Sequence, residues 1–143
     1  MSAYFDTAYI AKCYVNEPDS RRVRALLRRV RGARSSALCL PEMAAVLLRH
    51  VREGALTQSQ AYELREAFVA DVEMGIWETI PLGDAFLDRV AARIGAFAAN
   101  AAVRAGDAIH LWAASEAGFR EVWTNDRHML GAAPHFGLKG RSV

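Results

Sequence analysis

Along this chain, short apolar runs alternate with longer stretches in which apolar residues recur at helical spacing. "SAYF" (2–5) reads as a short strand that stops at Asp6-Thr7, a plausible helix cap, and "AYIAKCYV" (8–15) reads as a helix. Pro18-Asp19-Ser20 opens a second helix, in which Val23, Leu26, Leu27 and Val30 share one face and arginines take the other. That helix is predicted to end at Gly32, and "SSALCL" (35–40) to form a buried strand. Pro41 is predicted to be the first residue of the next helix, which carries Met43, Val46, Leu47 and His50 and closes at Gly54. Thr57 begins a longer helix to about Met74. "IWETI" (76–80) alternates like a strand until Pro81, and Asp84 starts a helix running through Phe97. "RAGDAIHLWAASEAGF" (104–119) is one further, almost wholly apolar helix. "EVWT" (121–124) is a strand, Asn125-Asp126 a turn or cap, and "GLKGRSV" holds a last short strand. Strands alternating with helices predict a single α/β domain over 1–143, with a mainly parallel central sheet flanked by helices.

Composition narrows the class. A chain of 143 residues can bury roughly two-thirds of its unfolded surface. Hydrophobic content of 52% with 24% charged residues is ordinary for a globular domain and argues against disorder. The net charge is only +2, but the stretch 21–34, "RRVRALLRRVRGAR", is dense in arginine. Such a local positive face favours an acidic partner such as RNA, a solvated helix face being the plainer alternative. Cys13 and Cys39 have no CxxC spacing and lie in apolar stretches, so free buried thiols in a reducing compartment are expected. No apolar run reaches the length of a membrane span. "MSAYFDTAYIAK" has no basic region ahead of a long apolar core, so no secretory signal is visible and a cytoplasmic location is expected.

The positions of the acids change the picture further. Asp6 ends the first strand, Glu42 lies just past the second and Asp126 follows the strand 121–124, while Asp107 opens an apolar helix. Functional groups of parallel sheets collect beyond the carboxyl ends of the strands. Each acid also has a local explanation. Asp6, Asp107 and Asp126 suit N-caps, and Glu42 suits the positive end of a helix dipole. If they converge instead, two unit charges about 4 Å apart repel by roughly 4 kcal/mol at an effective dielectric of 20. Such a group takes up protons or binds a cation. An all-oxygen donor set selects Mg²⁺ or Mn²⁺ over zinc, and these ions support attack of water on a phosphodiester.

"YFDTAYIAKCYVNEPDS", "LPEMAAVLLR", "AGDAIHLWAA" and "WTNDRHML" resemble the four acidic blocks of the PIN domain, most closely those of VapC-type ribonuclease toxins of bacterial toxin–antitoxin pairs. The resemblance spans nearly the whole chain. It implies a three-layer PIN-like fold and a Mg²⁺- or Mn²⁺-dependent endoribonuclease, with Asp6, Glu42, Asp107 and Asp126 around the metal. It implies Thr7 as a hydroxyl orienting the first acid or a metal-bound water. It further implies a cognate VapB-type antitoxin, a toxin homodimer, and an RNA substrate of the tRNA or rRNA class. Trp112 departs from the pattern, standing where many relatives have a small residue.

The remaining candidates have quieter readings. Lys12 either neutralises the acidic pocket or snorkels from its helix. His110 reads as a hydrogen-bonded structural histidine, and Trp77 and Trp123 as core. Met43, Val46 and Leu47 with the helix at 57–74 pack as core or form a partner groove. A phosphatase of the HAD type would need a second Asp at position 8, which is Ala, and the acidic pair of a receiver-like phosphoacceptor is missing. The alternative from another class is a non-catalytic PIN-like scaffold that binds RNA or protein, with the acids as caps.

Overall fold

The computed structural model describes every residue from Met1 to Val143. Its elements in chain order are β1 (Ser2–Phe5), α1 (Thr7–Tyr14), α2 (Ser20–Leu27), β2 (Gly32–Ser36), α3 (Cys39–Arg52), α4 (Gln58–Glu73), β3 (Trp77–Ile80), α5 (Asp84–Gly95), α6 (Ala105–Glu116), β4 (Glu121–Trp123), α7 (Arg127–Ala132), a 3₁₀ turn (Ala133–Phe136) and β5 (Lys139–Arg141). The five strands form one sheet in the order β3-β2-β1-β4-β5, and every pairing is parallel.

The two-residue period of β1 builds the layers. Ala3 and Phe5 face a core with Tyr9, Ile10, Val23, Met43, Phe68 and Trp77, so α1 to α4 cover that side. Tyr4, between them, faces a core with Phe86, Val90, Leu111, Val122 and Met129, so α5 to α7 cover the other. The result is a three-layer α/β domain with a wholly parallel central sheet, as the sequence pattern predicts in outline.

Several boundaries differ from the sequence pattern. The second helix ends at Leu27 rather than Gly32, because the Arg29 amide donates to Leu26 O and tightens the chain into a turn. The second strand is Gly32–Ser36 rather than 35–40. Arg34 and Ser35 lie in register with Glu78 and Thr79 of β3, and the Ser36 hydroxyl then accepts the Leu38 amide and turns the chain into α3. Consequently α3 starts at Cys39, and Pro41 sits in its first turn, where no amide donor is needed. The helix from Asp84 stops at Gly95, so Phe97 lies beyond it.

Candidate active site

β1 is the point where the strand order reverses, with β2 on one side and β4 on the other. A crevice forms beyond the carboxyl ends of such strands. Here it is a cavity of about 600 Å³, and Asp6, Thr7, Glu42, Asp107 and Asp126 all line it. They come from four places: the turn from β1 into α1, the first turn of α3, the first turn of α6, and the turn from β4 into α7. Arg49, Arg52, Arg104 and His110 share the cavity with them.

Each carboxylate is held by a specific partner. Asp6 is the N-cap of α1: Oδ1 accepts the Tyr9 amide at 2.9 Å, and Oδ2 accepts the Thr124 hydroxyl. Burial nevertheless pushes its carboxyl up to about 6, against the lowering effect of those hydrogen bonds. Thr124 is fully buried, and its oxygen also accepts the Asp126 amide at 2.9 Å, so one side chain joins the first and fourth acids. Asp126 is the N-cap of α7, with Oδ1 accepting the amides of His128 and Met129. Partial burial works to raise its carboxyl, but these amides and Arg104 outweigh it and hold it below the usual range.

Glu42 is set by a relay across the sheet. The Ser36 amide donates to the Tyr4 hydroxyl at 2.9 Å, which leaves the phenol proton free for His110 Nδ1 at 2.8 Å. A carboxylate can only accept, so His110 Nε2 carries the proton that reaches Glu42 Oε1 at 2.6 Å. The Thr7 hydroxyl donates to the same oxygen at 2.6 Å. Burial works to raise the Glu42 carboxyl, but these two donors win and lower it.

Asp107 is not the helix cap. The N-cap of α6 is Arg104, and Asp107 stands in the first turn, where it receives the Arg104 guanidinium instead of serving backbone amides. Arg104 Nε meets Asp107 Oδ2 at 2.8 Å, and Nη2 meets Asp107 Oδ1 at 3.3 Å and Asp126 Oδ2 at 3.0 Å. Asp6 and Asp126, by contrast, are caps and cavity-lining acids at once, so the two explanations do not exclude each other.

The structure therefore brings all four predicted acids to one cavity, although no three of the His, Cys, Asp and Glu side chains already converge as a cation cage. Thr7 orients Glu42 rather than Asp6. Lys12 is bonded to Pro18 O and Glu17, not to any of the four acids. His110 is buried and fully bonded, yet its partner is a cavity acid. Met43 and Leu47 are core, and Trp112 packs edge-on against Phe136. Arg104, Thr124 and Tyr4 escaped the sequence reading. Only Arg104 left a signal there, since three positions before Asp107 is the spacing of a first-turn ion pair.

The fold and the site together define an α/β domain with an acidic, arginine-lined cavity at the switch point of a parallel sheet. The chain belongs to the PIN domain family, whose model matches residues 3–133. No curated relative matches it. Among solved structures, it is similar in fold to a crystal structure of VapBC2 from Rickettsia felis bound to a DNA fragment from their promoter. The TM-score is 0.58 at 13% identity, covering 99% of this chain and 98% of that one. No helix is long and apolar enough to cross a membrane.

Proposed function

We propose that this chain is an endoribonuclease toxin of the VapC type, acting in the cytoplasm on RNA of the tRNA or rRNA class. The observation that carries the reading is four carboxylates from four separate elements on one cavity that arginines also line. The all-oxygen donor set suits Mg²⁺ or Mn²⁺, and Asp6, Asp107 and Asp126 with Glu42 are the residues that would hold the ion. Bound there, it would polarise a phosphodiester and supply a water at lowered pKa. The chain's own residues do the rest. Thr124 and the Tyr9 amide fix Asp6, while Thr7 and His110 fix Glu42, so neither acid needs to reorganise. Arg49 and Arg52 are exposed on the cavity wall and attract the phosphates of a single-stranded segment.

Membership of the PIN family and the likeness to a VapBC complex support a VapB-type antitoxin as partner; a homodimer is part of the same proposal. Leu40 and Leu48 on α3 and Tyr62 on α4 are exposed apolar side chains suited to such contacts. The non-catalytic scaffold keeps one observation in its favour, that Arg104 already neutralises two of the acids.

Cleavage assays on total RNA separate the two. The nuclease reading expects Mg²⁺- or Mn²⁺-dependent products with 5′-phosphate and 3′-hydroxyl ends, abolished by EDTA. It expects activity reduced at least about 100-fold in Asp107→Asn. Products with 2′,3′-cyclic phosphate ends, or activity that survives EDTA, would overturn it. Expression alone should arrest growth, and co-expression of the cognate antitoxin should relieve the arrest.

A further inference from the structure

Asp107 and Asp126 share a cation that the chain supplies itself. The Arg104 guanidinium makes three contacts of 2.8–3.3 Å with their carboxylates. It occupies the ground between them, where a divalent ion shared by the two would have to bind. Nothing else anchors it: its side chain is 55% exposed, and it contributes no side-chain bond to the cap of α6. Its partners are better fixed. The Asp107 side chain is 11% exposed, and the second oxygen of Asp126 is tied to the amides of α7. The least anchored member of this trio is the arginine. The other two acids differ, because Asp6 and Glu42 are satisfied by hydroxyls, an amide and His110, with no guanidinium on either.

We propose that Arg104 is the resident counter-cation of the site and competes with the divalent ion for Asp107 and Asp126, so that loading requires the guanidinium to swing out. The inference rests on the metal-dependent reading of this cavity. Half of the donor set, Asp6 and Glu42, is standing ready, and half is gated. A ligand that binds only the Arg104-out arrangement has its affinity reduced by the fraction of molecules in that arrangement. By reciprocity, bound ion drives Arg104 into solvent. Arg104 is thus a positioning residue that keeps two buried or half-buried carboxylates neutralised until an ion replaces it.

Mn²⁺ titration of the full chain without RNA, followed by calorimetry and by the electron spin resonance signal of free Mn²⁺, tests this. Arg104→Ala and Arg104→Gln should bind Mn²⁺ about tenfold more tightly than wild type, and Mn²⁺ should raise their melting temperature by more. Arg49→Gln removes the same charge from the same cavity without touching these carboxylates, and should change the affinity less than about twofold. Unchanged or weaker Mn²⁺ binding in both Arg104 variants overturns the inference. Equal tightening in Arg49→Gln also overturns it, because the effect is then the general field. In either case the metal reading stands if Asp107→Asn abolishes Mn²⁺ binding. If neither wild type nor the Arg104 variants bind Mn²⁺, both readings fail together.

Discussion

Asp6 caps α1 and receives the Thr124 hydroxyl, and still burial keeps its carboxyl up at about 6. The folded-state value lies above the ordinary 3.8, so the folded protein favours the protonated acid. What this group contributes to stability is present below about pH 4 and is lost as pH rises through about 6. Above that, the fold carries a buried carboxylate at a cost of about 2–3 kcal/mol in the absence of a metal. Asp6→Asn should therefore melt higher than wild type in EDTA at pH 8, and the advantage should vanish near pH 4. A difference that stays constant across that range would refute the assignment. Asp6, Glu42, Asp107 and Asp126 could be read from the sequence because an acid next to a strand end is visible locally. Their distant partners could not. The donors to Glu42 and Asp6 come from His110 and Thr124, which lie 68 and 118 positions away, and only the folded sheet brings them together.

At the scale of elements, most helices were legible to within a few residues; α4 has a weak apolar period, but its start was clear because Thr57 and Gln60 form a complete capping box. β2 was legible only in part. Its residues, Gly-Ala-Arg-Ser-Ser, carry little apolar signal, and pairing between β1 and β3 makes them a strand. The fit of α7 on β5 depends on one glycine in the same hidden way. A Cβ at Gly140 would stand 2.5 Å from Leu130 Cδ2 and 3.3 Å from Leu130 Cα. Side-chain rotation can relieve the first contact but not the second, so α7 must lift from the sheet edge. Gly140→Ala should cost about 1–3 kcal/mol. Because Asp126 caps α7, the same shift should loosen the Asp126–Arg104 pair. Leu130→Ala placed on Gly140→Ala should recover part of the loss, giving clearly non-additive melting data. Strict additivity would show that the two residues do not meet.

For the whole molecule, the distribution of charge matters more than its net value of +2. The arginines of 21–34 are not one uniform face. Arg24 is bonded to Cys13 O and Asn16, Arg34 pairs with Glu78, and Arg22 lies 3.6 Å from Asp19. Arg21, Arg28, Arg29 and Arg31 are exposed, and Arg29 belongs to a second, smaller cavity lined by Trp123 and Val143 rather than to the acidic one. Two RNA paths are therefore distinguishable by counting phosphates. A strand held only by Arg49 and Arg52 neutralises about two phosphates, and log K should fall against log salt with a slope near −1.4. A strand that also crosses the four exposed arginines of α2 and the turn after it neutralises about six, with a slope near −4. The cavity path is the expected one, because it leads phosphates to the acids. Binding of a single-stranded RNA to Asp107→Asn protein, measured over a range of salt, should give the shallower slope. Neutralising Arg21, Arg28, Arg29 and Arg31 together with Gln should leave that slope in place, whereas Arg49→Gln with Arg52→Gln should bring it close to zero. A steep slope that collapses on neutralising the α2 arginines would move the RNA path to that face and leave Arg49 and Arg52 without a substrate role.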